Sequence, residues 1–272
     1  YKYMGKYKVC VYAICKNESK FIKRWYESMK EADSIYVLDT GSTDESVSIL
    51  KSLGVIVKEH KFTSFRFDEA RNMALSMTPD DALCVSTDLD EVFLPGWRKL
   101  LEDNYNGETR IGYTYNWSLE NEKPKVSFIL DNIHTKKDYK WYHPVHEVLV
   151  NINQNETRKN ILDITLNHYP DVKKSRSSYL PLLELSVKED PEDDRNMHYL
   201  GREYMYYKRY NEAIDTLLKH LKLKRATWKD ERCASMRFIA RCYKGLKRYD
   251  EAILWYEKAI LEAPHLRDPY VE

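Results

Sequence analysis

Two carboxylates one residue apart stand directly after an apolar run in the first third of the chain. The run covers Ala82 to Ser86, and the acids are Asp88 and Asp90. A strand that ends in this way holds its acids at the carboxyl edge of a sheet, where open α/β sheets bind ligands and hard cations find oxygen donors. The pattern indicates a site for a metal-bound phosphate. Because Asp-x-Asp also occurs in turns whose acids bond their own backbone, the acids alone leave a plain turn open.

A second group of polar residues lies in the aromatic segment Lys140 to Glu147, which contains His143 and His146. Helical zinc sites use the spacing His-Glu-x-x-His, whereas these two histidines are three residues apart with Pro144 between them. This spacing argues against zinc. His146 and the later His168 are candidates for contact with a metal or a phosphate, with an ordinary hydrogen-bonded histidine as the alternative.

Hydrophobic periodicity predicts the elements that must position these residues. Strands are predicted at 9–14, 34–39, 55–59 and 82–86, and helices at 17–31, 42–53 and 67–77. The second helix opens with a segment that fits a capping box, with Ser42 as its N-cap and Glu45 three residues later, and Gly54 ends it. Strands that alternate with helices imply an α/β fold with a mostly parallel sheet and right-handed crossovers.

The hydrophobic pattern of the sequence changes twice after residue 86. From Thr109 to His168 short alternating segments rich in aromatic and β-branched residues predict additional, partly antiparallel strands. Pro170 and the polar stretch that follows mark a boundary before an entirely helical tail. We therefore expect an α/β domain over residues 1–172 and an all-α domain over residues 173–272.

The helical tail contains an internal repeat. Lys208 to Ile214 returns 39 residues later as Lys247 to Ile253, with the shared core Tyr-x-Glu-Ala-Ile. The period exceeds the roughly 34 residues of a tetratricopeptide repeat, and the extra residues are expected in the linker Lys222 to Asp230. Each such repeat is a helical hairpin that buries its apolar face only against its neighbours.

The composition excludes several classes of partner. Lys plus Arg number 44 and Asp plus Glu number 43, so no global field attracts nucleic acid or an anionic membrane. No apolar run approaches the ~20 residues that a membrane span needs. The five cysteines lack Cys-x-x-Cys spacing, and three of them lie in buried-looking strands, which favours reduced thiols and a cytoplasmic location.

Four motifs taken together are more specific than any of them alone. Asn17-Glu18 follows the first strand, Asp39-Thr40-Gly41-Ser42-Thr43-Asp44 ends the second, Ala70-Arg71-Asn72 lies in a helix, and Asp88-Leu89-Asp90-Glu91 follows the fourth strand. Over residues 7 to 170 this order and spacing resembles the inverting family 2 glycosyltransferases of the GT-A fold. With its helical tail, the chain looks closest to the branch that includes lipopolysaccharide core glucosyltransferases and the S-glycosyltransferases that modify bacteriocin peptides.

The resemblance implies a metal-dependent transfer of a hexose from a UDP-sugar, with Mn²⁺ or Mg²⁺ bridging the diphosphate oxygens. Asp90 is the first candidate for a metal ligand. Asp88 is expected nearer the ribose or sharing the metal, and His146 is a further possible ligand.

The same resemblance suggests which residues bind the nucleotide sugar. Asp39 is expected to accept a hydrogen bond from the uracil ring, and Ala13 and Cys15 to make backbone contacts with the base. Arg71 is expected at the diphosphate, with a surface salt bridge as the alternative. Trp141 is a candidate for stacking on a sugar, with core packing as the alternative.

Inverting transfer needs a base that removes the acceptor proton. Glu147 is slightly favoured over Glu91 for this role. The acceptor is expected to be a peptide or protein, or a glycan, and the helical repeats are expected to recruit a polypeptide or to pair two subunits. The alternatives are a scaffold that binds nucleotide sugar without turnover and a nucleotidyltransferase. The second would need a glycine-rich basic phosphate loop, which Ile14 to Glu18 is not.

Overall fold

The computed structural model describes residues 7–171 and 179–272. These residues form two compact units, one containing the chain up to Asp171 except for Pro144–His146, and the other containing Pro144–His146 and the helices from Tyr179 onward. The predicted domain boundary after residue 172 lies outside the described residues.

The first unit is an α/β structure, as predicted. Its strands are β1 (Val9–Cys15), β2 (Ser34–Asp39), β3 (Ile56–Glu59), β4 (Leu83–Ser86), β5 (Glu91–Phe93), β6 (Arg110–Glu120), β7 (Lys123–Thr135), β8 (Tyr139–Tyr142), β9 (Val148–Asn151) and β10 (Arg158–His168). Its helices are α1 (Ser19–Met29), α2 (Ser46–Ser52), α3 (Phe67–Ser76) and α4 (Trp97–Asn104).

Eight of the strands form one mixed sheet in the order β3-β2-β1-β4-β7-β6-β10-β5, and β8 and β9 form a separate antiparallel pair. Strands β3, β2, β1 and β4 are parallel. Strand β7 runs antiparallel to both β4 and β6, while β10 is parallel to β6. The prediction of a parallel half joined to partly antiparallel strands is confirmed.

Helices cover both faces of the parallel half, because alternate residues of a strand point to opposite faces. Val9 and Val11 pack in the same cluster as Trp25 of α1. Cys10 and Tyr12 pack on the opposite face with the buried alanines of α3. The motifs at the ends of β1, β2 and β4 therefore lie at one edge of a sheet that is covered on both sides.

The predicted capping box is wrong. Helix α2 begins at Ser46 with Glu45 as its N-cap residue, whose side chain makes no capping hydrogen bond, and the N–H of Ser46 donates to Asp44 Oδ1 at 2.9 Å instead. Residues 42–45 belong instead to the loop after β2, where Ser42 is bonded to Asp39. Strand β5 and helix α4 were also absent from the sequence prediction.

The second unit is helical, as predicted. Its helices are α5 (Tyr179–Glu189), α6 (Asp194–Tyr206), α7 (Tyr210–Lys222), α8 (Lys229–Gly245), α9 (Tyr249–Glu262) and α10 (Asp268–Val271). The repeated segments begin α7 and α9, and the six residues 223–228 join α7 to α8.

The repeats also match in their contacts. Arg209 pairs with Glu212 at the start of α7, and Arg248 pairs with Glu251 at the start of α9. Gly245 permits close packing, because a Cβ atom there would lie 2.5 Å from the Tyr210 ring. Among residues 7–171 and 179–272, no helix combines the length and apolar character that a membrane-spanning segment requires.

Candidate functional site

The turn that contains Asp88 and Asp90 is held together by Glu91. The Glu91 Oε2 atom accepts a hydrogen bond of 2.8 Å from the backbone N–H of Asp88, and the Tyr115 hydroxyl donates to Oε1 at 2.9 Å. Glu91 is buried, whereas the side chains of Asp88 and Asp90 are 49% and 21% exposed. The turn therefore presents its two aspartates outward and uses the glutamate to fix its own shape.

The buried position of Glu91 changes its proton affinity. Burial raises its pKa to about 8, and the nearby charges of Asp88 and Asp90 act in the same direction, against the hydrogen bonds that stabilise the carboxylate. Sequence reasoning did not detect Tyr115, because nothing in the alternating pattern of β6 indicates which acid an inward-facing tyrosine meets.

His168 lies beside Asp90. Its Nδ1 atom is 3.0 Å from the carbonyl oxygen of Trp117, an atom that can only accept, so Nδ1 carries a proton and Nε2 faces Asp90 Oδ2 at 3.5 Å. Burial alone would lower the pKa of His168, but the hydrogen bonds to Asp90 and to Trp117 outweigh it and the pKa is raised. His168, the last residue of β10, therefore lies next to Asp90, the carboxylate that the sequence predicts to be a metal ligand.

Arg71 connects three of the predicted residues. Its Nη2 atom donates to Asp88 Oδ1 at 2.9 Å, its Nε atom donates to Glu147 Oε1, and its guanidinium lies 5.1 Å from the centre of the Trp141 ring. The side chain is 12% exposed and forms ion pairs with the half-exposed Asp88 and the buried Glu147, and its contact with a diphosphate stays a prediction. Burial opposes its charge, but Asp88 and Glu147 outweigh that effect and raise the pKa of Arg71 further.

Asn72, the next residue of α3, holds the segment around Trp141 in place. Its amide nitrogen donates to the Trp141 carbonyl at 2.8 Å, and its amide oxygen accepts from the Trp141 N–H at 2.9 Å. The indole Nε1 atom donates to the Tyr12 hydroxyl at 2.8 Å. Trp141 is 4% exposed, and its buried ring packs against the Arg71 guanidinium. Its contact with a sugar stays a prediction.

Asp39 organises the loop after β2. Its Oδ1 atom accepts from the backbone N–H groups of Gly41 and Ser42, both at 2.9 Å, and its Oδ2 atom accepts from the Ser42 hydroxyl. The Asn17 side chain accepts from the N–H of Thr43 at 2.7 Å and so ties the loop after β1 to the same place. Asp39 has a structural role in this loop, and its contact with uracil stays a prediction.

The remaining predicted residues have different surroundings. Ala13 and Cys15 are buried in β1, and the Cys15 carbonyl already accepts from both the N–H and the hydroxyl of Thr40. His146 belongs to the helical unit, where its ring stacks on Tyr199 with the ring centres 4.2 Å apart. The roles of these three residues toward a base or a metal stay predictions.

The fold and the site together define a class of protein. The sheet carries polar loops at one edge and an Asp-x-Asp turn beside a buried arginine, and helical repeats follow along the chain. This combination defines a glycosyltransferase with a GT-A domain and a tetratricopeptide-like domain. The chain belongs to glycosyl transferase family 2, whose model matches residues 10–167. A tetratricopeptide repeat model matches residues 238–265.

Solved structures resemble parts of the chain. Glucosyl-3-phosphoglycerate synthase from Mycobacterium tuberculosis, in complex with Mn²⁺, UDP and glucosyl-3-phosphoglycerate, is 21% identical with a TM-score of 0.35, over 40% of this chain and 44% of that one. The N-terminal domain of stress-induced protein-1 from C. elegans is 14% identical with a TM-score of 0.29, over 30% of this chain and 66% of that one. MamA AMB-1 is 24% identical with a TM-score of 0.30, over 33% and 50%. The chain thus spans less than two thirds of each of these structures.

Proposed function

We propose that this glycosyltransferase moves a hexose from a UDP-sugar to its acceptor with inversion, at the edge of the sheet where Asp39, Arg71 and Asp90 lie. The observation that carries the proposal is the bridging position of Arg71, which holds Asp88 and Glu147 with one guanidinium. Guanidinium pairs well with phosphate oxygens, so an entering diphosphate competes with these two carboxylates for the same cation.

The donor atoms around Asp90 fit a divalent ion. Asp90 offers a partly exposed carboxylate, and His168 offers Nε2 from a ring whose other nitrogen is fixed by a carbonyl. Oxygen and imidazole donors suit Mn²⁺, and diphosphate oxygens would complete its shell. Asp90 and His168 would hold the ion, which when bound neutralises the charge that develops on the leaving diphosphate.

Glu147 is the better candidate for the base. Both oxygens of Glu91 already accept hydrogen bonds that shape the Asp88–Glu91 turn, so we assign it a positioning role. Glu147 is held by Arg71 alone among the contacts found for its carboxylate in the described residues. When Arg71 turns to the diphosphate, Glu147 loses its partner and becomes able to accept the acceptor proton.

The nucleotide and the acceptor follow from the family resemblance. Asp39 would accept a hydrogen bond from uracil while keeping its bonds to the loop, since a carboxylate has about four acceptor positions. The acceptor is a peptide or protein, or a glycan, and the helical repeats are the surface for recruiting it or for pairing two copies of the chain. We place the reaction in the cytoplasm.

The experiment is a screen of UDP-sugars and GDP-sugars for hydrolysis by the full chain, with added Mn²⁺ or with a chelator. The expected result is release of UDP that depends on the divalent ion. A preference for GDP-sugars would overturn the assignment of uridine. Tight binding of a UDP-sugar without any turnover, in the presence of acceptor peptides and glycans, would favour the scaffold alternative.

A further inference from the structure

Three helix ends of the second unit bring two carboxylates and one imidazole together. Asp194 is the first residue of α6, His220 lies in the last turn of α7, and Glu231 lies in the first turn of α8. Consecutive helices of a repeat array run antiparallel, so these three ends meet at the same side of the array. One ligand atom from each residue lies within 4.8 Å of the others.

The imidazole points an unused nitrogen into this group. The His220 side chain is fully buried, and its Nδ1 atom is 2.8 Å from the Ser235 hydroxyl. Its Nε2 atom has no hydrogen-bond partner among residues 7–171 and 179–272. Glu231 Oε1 lies 3.3 Å from Nε2, which makes an ion pair only if His220 is protonated. A buried nitrogen without a partner is costly, and here it faces two acids.

The surroundings of His220 are those of a metal-binding histidine. Such histidines bind the metal through one nitrogen and donate the other N–H to a protein oxygen, which fixes the ring. Ser235 is that oxygen, and it also lies 2.7 Å from Nδ1 of the buried His198. A serine hydroxyl has one proton, so it can donate to His198 while accepting from His220. In that arrangement Nε2 of His220 carries a lone pair toward Glu231 and Asp194.

We propose that Asp194, His220 and Glu231 bind a divalent transition-metal ion with the ligand preferences of Zn²⁺. One imidazole and two carboxylates are ordinary zinc donors, and three protein ligands leave a fourth position for water. Asp194 and Glu231 are only partly buried, so an ion can enter from solvent. The bound ion joins the ends of three helices and neutralises two acids. This site belongs to the helical unit and does not depend on the function proposed for the α/β unit.

The test is calorimetric titration of Zn²⁺ into the full chain carrying Asp90→Asn, which weakens the other proposed metal site. In that background His220→Gln removes a direct ligand and should weaken Zn²⁺ binding by more than about tenfold, since loss of a partner that only orients a ligand already costs about tenfold. The matched control is His265→Gln, because His265 is an exposed histidine that pairs with Asp230 at 2.8 Å in the same unit. It should leave the affinity unchanged within twofold. Equal affinity in both variants, or no binding to the parent protein, would overturn the proposal.

A second pair of measurements guards against a misfolded His220 variant. Zn²⁺ should raise the unfolding midpoint of the Asp90→Asn parent protein. Adding Glu231→Gln should remove that rise, while the metal-free Glu231→Gln variant keeps the far-ultraviolet circular dichroism of the parent. If His220 is instead an imidazolium that simply pairs with the two acids, Zn²⁺ will raise the midpoint of neither protein. That result would also refute the metal site.

Discussion

The contacts that build the site of the α/β unit and the ion pairs that recur in the helical repeats differ in burial and in sequence separation. In the α/β unit the contacts that build the site join distant parts of the chain, since Arg71 and Glu147 are 76 residues apart and Asn72 and Trp141 are 69 apart. In the helical unit the repeated ion pair of Arg209 with Glu212 spans three residues. The difference shows which polar contacts contribute to stability and to the site. Buried, long-range contacts hold a site that a ligand must reorganise, whereas local surface pairs recur with the repeat and contribute little.

The largest effect is expected at the metal site of the α/β unit. Asp90→Asn removes the charge that holds a divalent ion, and because such an ion contributes several kcal/mol to charge stabilisation, transfer should fall by about a thousandfold. The control is Asp163→Asn, an exposed acid within β10, which should keep full activity. Initial rates with a UDP-sugar and saturating Mn²⁺ measure both. Retention of more than a tenth of the activity by Asp90→Asn would contradict the assignment.

The next effect contrasts two arginines of the same unit, each paired with two acids. Arg71 is 12% and Glu147 10% exposed, so Arg71→Gln leaves the buried Glu147 carboxylate without its cation and should lower the free energy of unfolding by about 3–5 kcal/mol. Arg158 is 54% exposed, and Arg158→Gln should cost less than about 1 kcal/mol although it loses contacts with Asp131 and Glu156. Urea titrations give both values. Similar losses of unfolding free energy in the two variants would mean that burial of the arginine does not determine how much its ion pairs stabilise the protein.

Acid should weaken both units through one buried histidine each. Burial lowers the pKa of His134 and of His198 to about 4. In the unfolded chain histidine has a pKa of about 6.5, so as the pH falls from about 6.5 to about 4 the unfolded chain binds protons that the folded protein does not. Stability should fall over this window by up to about 3 kcal/mol per histidine. In the neutral form of His134, Nδ1 donates to the Thr135 carbonyl at 3.0 Å and Nε2 accepts from the Tyr12 hydroxyl at 2.8 Å.

The measurement is the free energy of unfolding from urea titrations between pH 4 and pH 7. His134→Gln and His198→Gln should each reduce the slope of stability against pH. If both variants keep the slope of the parent protein, other groups control the acid transition.

The smallest effect is expected for the repeated surface pair. Arg209→Ala removes a 39% exposed side chain from its contact with Glu212, and Arg248→Ala does the same for a 52% exposed side chain beside Glu251. Neither change should shift the unfolding midpoint beyond the scatter of replicate melts, because solvent screens such pairs. A shift as large as that of Arg71→Gln would remove the distinction between the buried site contacts and the repeated surface pairs.

Local patterns in the sequence predict local structure well in both units. Strand β2 has the bounds that its apolar residues predict, Ser34–Asp39, and the repeated Tyr-x-Glu-Ala-Ile segments begin α7 and α9. These features depend on contacts between near neighbours and on hydrophobic period. Strand β5 has only three residues, too few to show a period, and it forms because it pairs with β10.

The failures occur where a distant residue decides the outcome. The capping box at Ser42 looked like a helix start, but Ser42 bonds Asp39 and accepts from the backbone N–H of Asn17, 25 residues earlier. Likewise Arg71 and Glu147 were each singled out, while nothing along the chain indicated that they pair. Tertiary contacts override local signals at such places, and these are commonly functional sites.

The most direct measurement of the central claim is calorimetric titration of UDP into the full chain in the presence of Mn²⁺. The same titration is repeated with a chelator in place of Mn²⁺, with the Asp90→Asn variant, and with GDP in place of UDP. We predict that UDP binds in Mn²⁺, that chelation or Asp90→Asn weakens this binding at least about tenfold, and that GDP binds more weakly. UDP affinity that is the same with and without the metal, or GDP affinity equal to that of UDP, would contradict the account of a metal-assisted uridine site at this edge of the sheet.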